Sequence, residues 1–384
     1  MKHANKFVVL MVASVFSTIV FSVEPIKLGA SGPYTGGSSP MGISMRNGMR
    51  LAVSEINAKG GVLGRPLELV ERDDEAKNER GVQIAQELLF KEKIVAGVGI
   101  INTGVGMSSA RFYQEAKIPL ITPGPSGTSL TKLYAAAPAN YIFRVSLPDA
   151  VQAEMIATEA IDKRKYRKVA IIADSSNYGQ LGREDMVAAL AKRGVKPVAV
   201  EKYNVGDVDM TPQLLRAKSA DADVILTYGV GPDLAQIVNG MPKLGFKIPV
   251  IGSWTLSMPN FIENAGANAE GIRMPQTFIV DASQPKREEF ADKYDKAYSA
   301  KRIPGPVWAA QGYDVIYIIA AAIHQAGTTD GEKVRTALEG LNAPVDGVIR
   351  IYQKPFSKDN HEAFKSPADA VMGQIDKGIV RAAN

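Results

Sequence analysis

Six short stretches of the chain carry the residue types that could hold a small anion. They are residues 31–40, 102–104, 122–129, 175–178, 228–231 and 253–255. All are rich in hydroxyls, glycines and aromatics and poor in charge. Each follows a predicted β-strand and feeds, or lies near, the start of a predicted helix. Backbone N–H groups at a helix start, together with Ser or Thr hydroxyls, bind an anion without any cationic side chain. The dipole contribution is modest, about 0.3–1 kcal/mol and up to about 2 when partly buried. Charge-assisted hydrogen bonds supply the remainder. Such a set suits a small solute carrying a carboxylate. Plain turn chemistry explains any single loop as well. Only the recurrence after equivalent strands raises binding to an even alternative.

Enzyme chemistry finds little support. Of three histidines, His3 lies in the N-terminal apolar segment, His324 falls on an apolar helix and reads as a packing residue, and His361 lies in a polar tail. No His-x-x-x-His pair offers a zinc site and no Gly-Lys-Ser/Thr phosphate loop is present. Gly124-Pro125-Ser126-Gly127 is one residue too short for a nucleophile elbow. Gly97-Val98-Gly99 has Asn102 where a dinucleotide site keeps its third glycine. Asp73-Asp74 reads as a strand end or a hinge contact rather than an acid pair. With no cysteine, thiolate metal sites are excluded. No cofactor is implied.

The elements that position these loops come in two copies. Residues 59–71 are echoed by 192–201, and Lys117-Ile118-Pro119-Leu120-Ile121-Thr122-Pro123 by Lys247-Ile248-Pro249-Val250-Ile251-Gly252-Ser253, at offsets of 131 and 130 residues. A constant offset implies two lobes on one plan. In the first, strands are predicted at 25–30, 67–71, 94–100 and 118–122. Helices are predicted after residue 40, over 78–90 and over 107–116. Residues 143–145 read as a link. In the second, strands at 168–173, 196–203, 224–228 and 248–252 alternate with helices at 150–163, 181–192 and from Thr211-Pro212. A strand over 271–278 is expected to cross back, and helices at 307–325 and 331–341 to complete the first lobe. The tail from about 348 is expected to rejoin the second. The fold class is therefore α/β, two doubly wound parallel-sheet lobes joined by a multi-strand hinge, with a cleft between them. The lobes are assigned as 24–144 plus 276–346 and 145–275 plus 347–384.

Residues 1–23 read as a secretory signal peptide. Lys2 and Lys6 precede an apolar run over 7–21, and small residues follow near Val23. The run is short for a spanning helix, which needs about 20 residues. Removing it leaves roughly 360 residues, a length that favours two domains, and lowers the net charge from +5 to about +3. Basic and acidic residues are interspersed, with no basic block, so no nucleic-acid surface is read.

Six stretches stand out together: Ile26-Lys27-Leu28-Gly29 with Ser31-Gly32-Pro33, residues 52–61 (AVSEINAKGG), Asp73-Asp74, residues 118–126 (IPLITPGPS), residues 167–179 (RKVAIIADSSNYG) and residues 245–253 (GFKIPVIGS). With them the chain resembles the leucine/isoleucine/valine-binding family of periplasmic solute receptors that serve ABC importers. The likeness covers nearly all of the chain after the signal segment.

The resemblance implies a periplasmic, monomeric receptor that hands its ligand to an inner-membrane permease. It also implies residue roles. Thr103, Gly124 and Ser126 would hold the ligand carboxylate, and Tyr178 would close over it. Met41 and Val230, in the loops after the first and a later strand, complete the candidate set with Trp254. In the amino-acid receptors an acid near the last of these positions pairs with the ligand ammonium. Here Trp254 stands in its place, and Thr255 and Leu256 are not acidic either. A buried ammonium without a counter-charge costs several kcal/mol, against roughly 8 kcal/mol for micromolar binding. Trp254 instead offers a flat apolar face for an aromatic or branched body. The alternative is that Trp254 packs in the lobe core while Asp174, Asp233 or Asp314 serves as the acid. A sensor that presents its ligand to a signalling receptor, or an exported hydrolase, are the competing functions.

Overall fold

The computed structural model describes residues 23–281 and 283–383; the predicted signal segment lies almost wholly outside them. Two parallel sheets dominate. The first contains β1 (Ile26–Gly32), β2 (Leu67–Asp73), β3 (Ala96–Gly97), β4 (Leu120–Thr122) and β5 (Ile142–Arg144), interleaved with α1 (Ser39–Ala58), α2 (Asn78–Gln86) and α3 (Thr103–Ala116). After α4 (Asp149–Ala157) the second begins. It runs β6 (Val169–Asp174), α5 (Asn177–Ala191), β7 (Ala199–Tyr203), α6 (Thr211–Ser219), β8 (Val224–Tyr228), α7 (Asp233–Lys243), β9 (Val250–Gly252), α8 (Pro259–Ala265) and β10 (Arg273–Gln276). Then come α9 (Pro285–Tyr298), α10 (Pro306–Ala326), α11 (Gly331–Glu339), the small hairpin β11 (Val345–Asp346) and β12 (Ile351–Tyr352), and the hairpin β13 (Val371–Asp376) and β14 (Ile379–Ala382).

The sequence echo is a topological identity. The first sheet has the order β2-β1-β3-β4-β5; the second, read from its far edge, β7-β6-β8-β9-β10. Residues 117–123 and 247–253 deliver the fourth strand of each, and 59–71 and 192–201 the edge strand. β6 and β8 are buried at every residue. Their continuous apolar runs fit a parallel sheet covered by helices on both faces.

Several elements differ from expectation. The link at 143–145 includes a strand: β5 pairs with β4 from Leu120↔Ile142 to Thr122↔Arg144. Helices α3 and α5 begin four residues earlier than expected, at Thr103 and Asn177. Their glycine-bearing first turns read as loop. Ser176 caps α5 by accepting from Gly179 N at 3.2 Å, which fixes the start. The tail does not pass directly to the second sheet after 348. Instead β12 pairs back onto β11, and residues 361–363 run beside β5, with Arg144 N donating to His361 O at 2.9 Å and Ala363 N to Arg144 O at 3.0 Å. Only the hairpin of β13 and β14 joins the second sheet, with β13 antiparallel to β10.

Helix α10 is apolar all round because it is buried, not because it spans a bilayer. It crosses α1 at backbone contact. A Cβ at Gly48 would lie 2.0 Å from Ala309 O, and one at Gly312 2.3 Å from Met45 O. This close approach sets Trp308, near the start of α10, against the end of the cleft that Met41 lines.

His324, read as a packing residue, is exposed in the last turn of α10, where a cation suits the helix dipole. His361 is the buried one. It stacks on Phe143 at 3.9 Å and bonds the Ile142 carbonyl through Nδ1 at 2.9 Å.

Candidate functional site

All seven candidate residues line one cavity. Met41, Thr103, Gly124, Ser126, Tyr178, Val230 and Trp254 line it with Ile101, Asn102, Thr255 and Trp308, and the walls stand so close that the free volume is about 20 Å³. The first sheet's loops and α10 supply one wall and the second sheet's loops the other. The sheet order puts the switch points at β1/β3 and β6/β8, where ligands bind in such sheets.

The first wall is built by a strained turn. Ile100 has φ +76, a costly value for a β-branched residue. Its N–H still reaches Ser31 O at 2.5 Å, and the bend turns Ile101, Asn102 and Thr103 into the cleft. Gly124 packs backbone to backbone against this turn: a Cβ there would stand 2.4 Å from Ile101 Cα. Thr103 opens α3, and its Oγ1 accepts from Gly127 N at 3.2 Å, which leaves the hydroxyl proton free to donate into the cavity. Both Thr103 and Ser126 are 1 % exposed. Arg144 supports the loop from behind, donating from Nη1 to Gly127 O at 2.7 Å. Ser146 Oγ does the same to Pro125 O at 2.8 Å.

The second wall is aromatic. Tyr178, in the first turn of α5, packs on Tyr228 with centroids 5.3 Å apart, and its hydroxyl meets no hydrogen-bond partner among the described residues. Burial, with the nearby Asp149 and Asp174 carboxyls, pushes that phenol well above its ordinary value. Trp254 starts a short 3-10 turn and donates its N–H to Gln152 Oε1 at 3.1 Å. Thr255 Oγ1 donates to the Gly229 carbonyl at 2.6 Å and accepts from Ser253 Oγ at 2.8 Å.

No acid among the described residues lines the cavity. The three candidate stand-ins are engaged elsewhere. Asp174 accepts from Ser176 N at 2.9 Å and Val230 N at 3.0 Å, so it shapes the Val230 loop. Asp233 accepts from Gly206 N at 2.7 Å. Asp314, which burial pushes up to about 7, accepts from Val348 N, Ile349 N and the Tyr352 hydroxyl. Asp73 and Asp74 brace the loop after β1. Asp73 accepts from Tyr34 N at 2.8 Å and Asp74 from Ser31 Oγ at 2.9 Å. No group of His, Asp or Glu among the described residues could hold a metal ion.

The reading of the sequence missed Trp308 and Ile101; Asn102 and Thr255 fell within the loops it singled out but were given no role. Trp308 arrives from α10, far along the chain. One signal was available: it is one of only two tryptophans, and both face this cavity.

Two sheets of one topology, with a buried, hydroxyl-and-aromatic cavity between their carboxyl ends, define a two-lobe receptor for a small molecule. Comparison with known proteins agrees. A model of the family described as "Periplasmic binding protein" matches residues 25–378, and the chain belongs to that family. It is 28% identical to "Leu/Ile/Val-binding protein homolog 3" of Brucella melitensis over 305 residues, 79% of this chain and 80% of that one. Its fold superimposes on the branched-chain amino acid transporter substrate binding protein LivJ of Streptococcus pneumoniae, in complex with isoleucine. The TM-score is 0.81 at 26% identity, over 94% of this chain and 98% of that one. It superimposes comparably on a solute binding protein of an ABC transporter from R. palustris in complex with benzoate. There the TM-score is 0.79 at 20% identity, over 93% and 95%, a likeness of fold alone.

Proposed function

We propose that the protein captures a small carboxylate with an aromatic or branched apolar body and delivers it to an ABC permease in the inner membrane. The observation that carries this reading is the composition of the cavity. It presents hydroxyls and helix starts on one wall, three aromatic side chains, and no carboxylate. Thr103, Ser126 and the backbone near Gly124 hold the solute's carboxylate. Tyr178, Trp254 and Trp308 frame its body, with Met41 and Val230 closing the ends. The receptor works as an exported monomer without cofactor or catalysis. Residues 1–23 direct export, and the lobes 24–144 plus 276–346 and 145–275 plus 347–384 close on the ligand about the hinge. Relatives named for leucine, isoleucine and valine support the branched-chain option. A member of the same fold described with benzoate supports the aromatic one.

Calorimetric titration of the mature protein with benzoate, 4-hydroxybenzoate, isoleucine and leucine tests the reading. Micromolar binding of at least one, with the aromatic acids ahead, is expected. No heat from any of the four would overturn it.

A further inference from the structure

Behind Ser126 stands an acid outside the cavity lining. Asp149 opens α4 and is fully buried. Its N–H donates to the Ser126 carbonyl at 2.8 Å, and the Tyr228 hydroxyl donates to its own carbonyl at 3.3 Å. Among the described residues its carboxyl accepts one long hydrogen bond, from Gln152 Nε2 to Oδ1 at 3.4 Å, while Oδ2 meets no partner. The carboxyl is not a helix cap. Ala150 N donates instead to Thr128 Oγ1 at 2.8 Å, and Val151 N and Gln152 N both to Pro148 O at 3.0 Å.

The charges around it do not favour an ion. From β5, Arg144 acts on it at a distance but spends its guanidinium on Glu362 and the Gly127 carbonyl. From α5, Asp185 adds a like charge and Tyr178 a neutral phenol; from β8 comes the Tyr228 phenol. The Ser126 and Tyr228 hydroxyls favour the ion, but less strongly than burial opposes it. A buried carboxylate with no counter-charge of its own and a single long N–H bond costs several kcal/mol. The neutral acid avoids most of that cost.

We propose that Asp149 is a positioning residue of the solute site and stands as a protonated acid behind Ser126, to whose carbonyl its own N–H is bonded, so that no buried anion opposes the solute's carboxylate and the Ser126 hydroxyl is left to donate to it. The same turn reaches the opposite wall, since Gln152 also accepts the Trp254 N–H. An ionised Asp149 would take the Ser126 proton for itself and oppose the bound carboxylate from behind. Burial pushes the group up to about 8, with Ser126 and Arg144 pulling the other way. The acid form therefore holds at neutral pH and is lost as pH rises past that value. This inference rests on the carboxylate reading above.

The first test needs no ligand. Carbonyl-carbon NMR of protein labelled at aspartate is followed from about pH 5 to about pH 10. The signal missing from Asp149→Asn should titrate near 8. A signal already ionised at neutral pH overturns the proposal. Should that variant not fold, the displacement of the same signal in Ser126→Ala assigns it. The second test is calorimetry with benzoate, which has no group titrating above neutrality, and with leucine. In the wild type, affinity for benzoate should fall by about tenfold per pH unit above the pKa, with proton uptake on binding. Asp149→Asn, whose amide does not ionise, should give a flat profile. Matching profiles in the two proteins overturn the proposal. If neither probe binds, the carboxylate reading fails on its own, and the NMR titration still decides whether Asp149 is an acid or an anion.

Discussion

The indole of Trp254 lies 5.6 Å from that of Trp308, ring centre to ring centre, tilted by 55°. One comes from the loop after β9 and the other from α10, so the pair closes the cleft from opposite sides. The protein has no other tryptophan. Its tryptophan emission therefore comes from this pair alone. A carboxylate that enters between the lobes should change the emission saturably. Trp254→Phe and Trp308→Phe should each remove about half of the starting signal and most of the change. An emission spectrum indifferent to a ligand already seen by calorimetry would place that ligand outside this cavity.

Closure itself is measurable. The two walls touch at Thr128 Oγ1 to Asp185 Oδ2, 2.7 Å, and at Asn260 Nδ2 to Gly37 O, 2.9 Å. A hinge motion that opened the cleft would break both bridges. Small-angle scattering should show a more compact particle with ligand than without. An unchanged radius of gyration at saturation would count against a hinge motion.

The hydroxyls of Thr103 and Ser126 should each contribute roughly 1.5–3 kcal/mol to binding if they donate to a charged group. Thr103→Ala and Ser126→Ala should then weaken binding at least about tenfold, with little change in melting temperature. Wild-type affinity in both variants would sink the carboxylate assignment.

Much of this was legible in the sequence because the protein repeats itself. The echo at a constant offset gave both sheets, and strand ends gave the loops. The hinge region was not legible. Arg144 and His361 read as a link and a tail because nothing local predicts that residues 361–363 run beside β5. Trp308 was hidden for a similar reason: its contact with Trp254 depends on how α10 packs on α1, through Gly48 and Gly312. The early starts of α3 and α5 were obscured by glycines, which lower helix propensity, although they let backbones approach. Helix α9 went unread because its apolar face amounts to Phe290 and Tyr294 in a charged segment.

The hinge should be fragile to half-measures. Arg144 is fully buried and meets Glu362 through two bonds, Nε to Oε2 at 2.7 Å and Nη2 to Oε1 at 2.5 Å. Thr131 also donates to Glu362. Glu362→Ala leaves a buried guanidinium uncompensated and should cost about 3–5 kcal/mol. Arg144→Met with Glu362→Met should recover much of that. Urea midpoints of the three proteins decide it; a double variant no better than the single would show that packing, not charge, dominates here.

Asp149 should also shape stability against pH. Its folded pKa, about 8, lies above the unfolded value of about 3.9. The folded state therefore holds a proton that the unfolded state has lost, and stability falls as pH rises between those two values. Asp149→Asn should reduce that slope. Asp74, pushed up to about 6, and Asp314, to about 7, act in the same direction, so part of the slope should persist. Denaturation midpoints at several pH values, wild type against variant, measure the difference; identical slopes would mean that Asp149 ionises normally.

The last prediction concerns selectivity. Trp254 occupies the place where related amino-acid receptors are expected to keep an acid, and neither the cavity wall nor Asp174, Asp233 or Asp314 supplies another. A ligand ammonium would enter without a counter-charge. Benzoate-type acids should thus bind more tightly than leucine or valine, since indole and phenol faces receive a flat body at little entropic cost. Trp254→Glu should narrow or reverse that order. It supplies the charge, and it removes both the stacking surface and the contact with Trp308. Competition calorimetry with benzoate and leucine on the two proteins gives the answer. Tight leucine binding by the wild type, with aromatic acids inert, would mean that the ammonium finds its partner elsewhere, in a rearranged cavity that brings a carboxylate to the wall.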